Sequence, residues 1–140
     1  MGWDEGTTEE RDVLTMPAKA GAAVAIYRIL KKGVAANEVL VTTAGTDMPQ
    51  GVSGNASEDN KATYATGDYI ALKYMGIVYI KMSGVGLRND RVMPTANGLG
   101  LRHVNTDGVY VIGFAMEAWT DGQIIPVMID RFFVGDYTLS

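Results

Sequence analysis

The 140-residue sequence contains no cysteine and a single histidine. The lack of cysteine excludes disulfide bonds and thiolate metal sites. The 12 basic residues form no cluster and are outnumbered by 16 acidic residues, so we expect no binding to nucleic acid, where clustered cations must neutralise phosphates. No apolar run approaches the roughly 20 residues of a membrane-spanning helix, so we expect no membrane association either.

The net charge of −4 lies entirely at the N-terminus. The first twelve residues hold five acids and one base, Arg11, whereas the rest of the chain holds 11 bases and 11 acids. We interpret residues 1–16 as an acidic arm that ends before Pro17. Its polar start fits a short helix, since Thr7 and Glu10 have the spacing of a capping box, or an extended segment that orders on contact. Residues 17–130 then form a neutral, β-rich domain.

Glycine is frequent, with 17 residues against 4 prolines, and it separates short runs rich in aliphatic and aromatic side chains. This spacing predicts many short strands joined by turns. The runs 69–74 and 77–82 flank Met75-Gly76 and predict a hairpin. Residues 124–134 predict a strand that either lies at a sheet edge or starts at Pro126. Residues 18–32 fit a helix or a strand, and we favour a strand over residues 27–30.

The chain also aligns with itself at an offset of 62 residues. Residues 51–53 (Gly-Val-Ser) fall on residues 113–115 (Gly-Phe-Ala), and residues 55–59 fall on residues 117–121. Such a repeat describes two halves that bury their apolar faces together. We therefore predict a mainly β fold, a small β-barrel or β-sandwich with an extended N-terminal arm. Two pseudo-repeated halves are one interpretation of the alignment, and a chance recurrence of short apolar patterns is the other.

The sequence offers no arrangement of catalytic residues. His103 has no nucleophile or carboxylate in a recognisable motif beside it. The acids of the body stand mostly next to glycine or asparagine, where they serve turns. We therefore predict no catalytic, cofactor-binding or metal-binding residues, which leaves a small β-barrel enzyme or ligand-binding domain as a rival interpretation.

Contact residues are expected instead on the arm, on an aromatic loop and on the C-terminal tail, residues 131–140. This tail is unusually apolar, so we expect it to dock on the domain or on a neighbour. Trp119 stands beside an acidic loop and suits either the core or an interface anchor. The candidate partner or subunit contacts are Trp3, Glu5, Glu9, Glu10, Arg11, Trp119, Phe132, Phe133 and Tyr137.

Several short motifs between residues 17 and 129 carry a family resemblance. They are an Ala- and Gly-rich lead into a tyrosine (19–28), Thr-Asp-Met-Pro-Gln-Gly-Val (46–52), Gly-Asp (67–68), Gly-Ile-Val (76–78), Ile-Gly-Phe-Ala-Met-Glu (112–117) and Asp-Gly-Gln-Ile-Ile-Pro-Val-Met-Ile (121–129). In this order they resemble the capsid cement, or head decoration, proteins of tailed bacteriophages. The arm, the tail and the charged stretch 88–92 depart from that pattern, so contacts made by those parts do not transfer.

The resemblance implies a structural virion protein made in the host cytoplasm and placed on the outer surface of the capsid. It implies the major capsid protein as partner and self-association as a homotrimer that bridges neighbouring capsid subunits. Many weak contacts repeated over a shell are sufficient for such a role. The alternatives are another β-rich virion part, such as a tail, fibre or host-binding module, and an unrelated cellular structural protein.

Overall fold

The computed structural model describes residues 11–54 and 62–135. Within these ranges the chain forms strands joined by turns and one 3₁₀ turn, Ala96–Gly98, with no α-helix. The mainly β prediction is confirmed. In chain order the strands are β1 (Arg11–Ala20), β2 (Val24–Ala25), β3 (Ile29–Lys32), β4 (Glu38–Val41), β5 (Pro49–Gly54), β6 (Thr63–Tyr64), β7 (Tyr69–Lys81), β8 (Arg91–Pro94), β9 (Gly100–Arg102), β10 (Val109–Ala115) and β11 (Ile124–Val134).

The first five long strands close on themselves. The hydrogen-bonded order β1-β4-β3-β5-β7 returns to its start because β7 also pairs with β1. The β1–β4 pair is parallel and the other pairs are antiparallel. Closure removes the free edges that an open sheet would expose. We call this unit the first barrel.

The remaining strands close a second ring that shares β7 with the first. Its order is β7-β11-β10-β8-β9, all antiparallel. A parallel bridge between Met82 and Gly100 joins β9 back to the end of β7, and the Ser83 N–H donates to the Gly100 carbonyl at 2.7 Å. We call this unit the second barrel.

The two barrels repeat one another strand by strand, in agreement with the predicted two-half architecture. The pair Leu30↔Gly51 in the first barrel corresponds to Val92↔Gly113 in the second, both partners shifted by the predicted 62 positions. The pair Lys19↔Tyr69 corresponds to Lys81↔Ile124, where the second partner is shifted by 55. The first half therefore holds seven more residues than the second between β5 and β6, and the alignment of residues 55–59 with 117–121 is wrong.

Each barrel buries its own apolar cluster from equivalent positions. Ala18, Leu30, Tyr64, Ile70 and Leu72 fill the first barrel, and Ile80, Val92, Trp119, Ile125 and Val127 fill the same positions of the second. The second cluster also includes Ile29 and Val52, which belong to strands of the first barrel. The expectation that neither half buries its own apolar face is therefore wrong, although this shared layer does join the two barrels.

The hairpin predicted over residues 69–82 is wrong, because β7 runs without reversal from Tyr69 through Lys81. Gly76 has a φ of +99°, and β1 shifts register against this part of β7. A glycine in this conformation accommodates a bulge inside a strand as readily as a turn. Gly76 marks the point where β7 leaves the first barrel and enters the second.

The alternative of an edge position for the Pro126 strand is also wrong. β11 lies between β7 and β10, and it starts two residues before the proline. The Pro126 carbonyl accepts the Met116 N–H at 3.0 Å, so its missing N–H faces the end of β10. The β10–β11 ladder accordingly ends at Ala115↔Val127, and the proline costs one bond at most.

Residues 18–32 form no helix. The strand favoured over residues 27–30 is present for Ile29 and Leu30, which begin β3, whereas Tyr27 has a φ of +64° and lies in the turn before it. At the N-terminus, β1 begins at Arg11 and pairs with β7. Residues 11–16, which the charge pattern groups with the arm, therefore belong to a strand of the first barrel.

Candidate contact surface

The aromatic side chains of β10 and β11, which we call the aromatic cluster, form two pairs on opposite faces of these strands. Phe132 stacks on Phe114 with 6.1 Å between ring centroids, and the Arg91 guanidinium lies 5.7 Å above the Phe132 ring. Phe133 packs on Tyr110 at 4.9 Å, but 53% of its surface stays exposed. The first residues of the apolar tail are thus the end of β11, and they present aromatic side chains at the surface.

A groove between the two barrels adjoins this cluster. Met48, Pro49 and Gln50 form one wall, Tyr110, Arg131 and Phe132 form the other, and the volume is about 350 Å³. The Arg131 guanidinium donates to the carbonyls of Pro49 and Gln50 at 3.3 and 3.1 Å. Exposed apolar side chains beside fixed polar groups are typical of protein contact sites.

The junction between the barrels is formed by the outer face of the first barrel and a loop of the second. The Thr42 hydroxyl donates to the Thr95 carbonyl at 3.1 Å, and the Gly98 N–H donates to the Thr42 carbonyl at 3.0 Å. Gly98 has a φ of +69°, and a Cβ there would lie 2.9 Å from the Ile29 carbonyl oxygen. A glycine is therefore required for this close approach.

Arg28 takes part in the same junction. Its guanidinium donates to the Asn97 carbonyl at 3.3 Å, and partial burial lowers the pKa of the group. The Lys81 N–H donates to the Tyr27 carbonyl at 2.9 Å, and the rings of Tyr27 and Tyr79 meet edge to face at 6.4 Å. These contacts fix the second barrel relative to the first.

Trp119, a candidate contact, lies in the core of the second barrel and is 3% exposed. Its indole N–H donates to the Ser83 carbonyl at 3.1 Å. The side chain fits because Gly86 faces it across the strands, where any Cβ would overlap the indole ring. The alternative of an interface anchor at Trp119 is therefore replaced by a structural role.

His103 is also buried. Its Nε2 lies 2.8 Å from the Thr106 carbonyl oxygen, so the ring is held by its own turn. It borders a cavity of about 420 Å³ that also contains the Asp90–Arg102 ion pair, whose Oδ2 and Nε are 2.9 Å apart. A polar cavity of this kind suits recognition of a charged partner surface.

Five candidate contacts, Trp3, Glu5, Glu9, Glu10 and Tyr137, lie outside the described residues, as does the side chain of Arg11. In the described part of the chain, no three histidine or acidic side chains gather to hold a metal ion. Nor does a helix long and apolar enough to cross a membrane occur in residues 11–54 and 62–135.

Sequence reasoning missed the polar cavity on the second barrel. The internal repeat could have revealed it. Arg28 and Ile29 contact the second barrel, and the offset of 62 relates them to Asp90 and Arg91, which border the cavity. The repeat thus relates the cavity to the surface of the first barrel that lies at the junction.

Comparison with known proteins gives a fold and no family. No protein-family model matches the chain, and no curated protein matches it. Among solved structures, "The crystal structure of head fiber gp8.5 N base in bacteriophage phi29" is similar with a TM-score of 0.61 and 16% sequence identity. The match covers 84% of this chain and 94% of that chain, so the two share a fold. The resemblance to capsid cement proteins stays a prediction.

Proposed function

We propose that this chain is a non-catalytic structural component of a phage head that binds the major capsid protein on the outer surface of the capsid. The observation that carries the proposal is the fold shared over most of both chains with the base of a phage head fibre. The order of motifs that resembles capsid cement proteins supports it independently. The function requires neither cofactor nor metal.

The proposed capsid contact is the groove between the barrels together with the acidic arm. Phe133 and Met48 supply exposed apolar surface, and Arg131 is held in place by two carbonyl groups. The acids of residues 1–12 complement a basic capsid surface. Each contact is small, but homotrimers repeated over the shell would bridge neighbouring capsid proteins through many such contacts.

A second candidate, the base of a head fibre, is favoured by the printed description of the structural neighbour. Both candidates place the protein on the head and use the same fold. They differ in what they require of the copy number, because bridging over the whole shell requires hundreds of copies per particle. Quantifying the chain against the major capsid protein in purified particles separates them.

Co-sedimentation with purified capsids tests the proposal. The full chain is expected to pellet with capsids, and Phe133→Ser is expected to bind several-fold more weakly. Tyr69→Ser is the matched control, because Tyr69 is an exposed aromatic residue on a strand of the first barrel, away from the groove. Failure of the full chain to pellet would overturn the capsid contact.

The arm is tested by deleting residues 1–10 in the same assay. The deletion stops before Arg11 because β1 begins there, so a longer truncation would remove a barrel strand together with the arm. We expect weaker capsid binding with an unchanged thermal midpoint. Unchanged binding would exclude a role of the arm in this contact.

A further inference from the structure

The repeat leaves one face of the second barrel without the cover that its counterpart has. Ile29 and Val52 point outward from the first barrel and are fully buried at the junction. Their counterparts at an offset of 62, Arg91 and Phe114, are exposed and half-buried. Phe132 packs on both of these side chains, and the remainder of this surface is a free copy of the one with which the first barrel meets its neighbour.

The chain also carries a free copy of the covering loop. At the internal junction the cover comes from Thr95, Asn97 and Gly98. Their counterparts in the first barrel, at an offset of 61, are residues 34, 36 and 37, and Val34 is 95% exposed. We name residues 33–38 the docking loop.

We name the uncovered surface of the second barrel the docking face. Its apolar side chains are unusually exposed. Val85 is 65% exposed and Leu87 is 60% exposed, and both replace alanines, Ala23 and Ala25, that border a cavity at the internal junction. The face consists of Val85, Leu87, Asp90, Arg91, Arg102 and Val104. Exposed apolar side chains around a charged centre are typical of an interaction surface.

We propose that a second copy of this chain places its docking loop on this docking face, repeating between molecules the junction that exists within one molecule. The interface rests on the self-association proposed above and assigns it to particular residues. Because loop and face are different surfaces, the contact is head to tail.

Charge complementarity selects a second copy as the occupant. At the internal junction, Arg28 and Lys81 border one cavity of about 380 Å³ with like charges. The counterparts that would meet between two copies are Asp90 on the face and Lys19 beside the docking loop, which have opposite charges.

At a second pair of positions, two copies of the chain would again bring opposite charges together. Val41 and Leu99 border the same internal cavity and are both apolar. Their counterparts are Arg102 on the face and Glu38 in the docking loop, again of opposite charge. Binding of an unrelated partner to the docking face would not involve Lys19 or Glu38 of the first barrel. In a second copy, Lys19 would meet Asp90 and Glu38 would meet Arg102.

The face and the loop are also held in position before contact. Asp90 and Arg102 already pair with each other at 2.9 Å. The Glu38 carboxylate accepts the N–H groups of Val34 and Ala35 at 3.2 and 3.3 Å, which fixes the docking loop. A preorganised interface loses less conformational entropy on binding.

Cysteine cross-linking tests the head-to-tail contact, since the natural chain has no cysteine. Val34→Cys in one preparation and Val104→Cys in another are mixed and treated with a short bis-maleimide. We expect the mixture to give dimers at least several-fold faster than either variant alone. Equal rates, or fastest cross-linking by Val34→Cys alone, would overturn the proposal.

Sedimentation velocity over a dilution series supplies a second test. We expect the full chain to self-associate and Lys19→Glu to raise the dissociation constant about fivefold to tenfold, whereas Lys19→Arg retains association. Asp130→Lys is the control, because it reverses an exposed charge on β11 outside the docking face. A chain that is monomeric throughout, or equal association of Lys19→Glu and Asp130→Lys, would overturn the interface. Neither test contains capsids, so a failed capsid contact leaves both tests interpretable.

Discussion

Trp119 and Gly86 in the second barrel occupy the positions of Tyr64 and Val24 in the first, and exchanging these pairs tests the structural equivalence of the barrels. Val24↔Tyr64 and Gly86↔Trp119 are the corresponding cross-strand pairs. The first barrel thus combines a larger strand residue with a smaller ring, and the second combines glycine with the larger indole. The conformation of Gly86 does not require glycine, because its φ is not positive. Only the indole excludes a side chain there.

Gly86→Val is expected to destabilise the protein by about 3 kcal/mol, at the upper end of overpacking costs. A Cβ at this position would overlap Cη2 and Cζ2 of Trp119, and the indole cannot withdraw without losing its hydrogen bond to Ser83. Trp119→Tyr alone is expected to cost about 2 kcal/mol through a small cavity and that lost hydrogen bond. The double variant rebuilds the Val–Tyr pair of the first barrel.

We expect the double variant to be more stable than Gly86→Val alone, with a favourable coupling of at least about 1.5 kcal/mol. Urea unfolding followed by far-UV circular dichroism measures all four proteins without depending on tryptophan fluorescence. A single Gly86→Val variant within about 0.5 kcal/mol of the natural chain would refute the packing argument. Additive effects in the double variant would refute the equivalence of the two pairs.

Two further changes test the strand contacts and the turn chemistry. Gly113→Ala is expected to destabilise the fold by about 3 kcal/mol or more, because a Cβ would overlap the Met128 carbonyl of β11. Gly135→Ala, with no atom within 4 Å of its Cβ, is the control, and equal thermal midpoints would contradict the close approach. Asp47→Asn is expected to cost about 1 kcal/mol at pH 7, since the carboxylate accepts the Thr43 N–H at 2.7 Å and pairs with Lys31 at 3.3 Å. Burial alone would raise the pKa of Asp47, but the Thr43 and Lys31 contacts outweigh it and lower the pKa. The stabilisation is therefore present above the ordinary carboxyl range and lost as the pH falls through the lowered pKa, so the stabilities of the two proteins should converge in acid. A gap that is constant from pH 7 to pH 3 would contradict this reasoning.

The repeat was predictable because the same steric demand recurs in both halves. A Cβ at Gly51 would lie 2.5 Å from the Lys73 carbonyl oxygen, and one at Gly113 would overlap the Met128 carbonyl. Both strands therefore keep the Gly-Val or Gly-Phe step that the sequence shows. The alignment fails after β5 because the first half has seven additional residues there.

The hairpin at Met75-Gly76 could not be excluded from the sequence. An X-Gly pair between apolar runs satisfies a two-residue turn, and it equally satisfies a bulge in a long strand shared by two barrels. Only the pairing of residues 69–75 with β1 and residues 77–81 with β11 distinguishes the two.

The burial of the candidate contact residues likewise depends on residues that are distant in the sequence. Whether Trp119 lies in the core depends on Gly86, 33 positions earlier, and a local reading of the loop does not show that pair. The structure places the candidate contacts Phe132 and Phe133 near the end of β11, and their role as contacts stays a prediction. Their neighbours Tyr110 and Phe114 come from β10, and the sequence does not show that β10 pairs with β11.

Quantitative mass spectrometry of purified phage heads, separated from tails, shows whether this chain is a component of the head. We expect this chain in the head fraction, with hundreds of copies per particle for the capsid-bridging function. Its absence from heads, or its presence only with tails, would contradict the proposal that it is a structural component of the phage head.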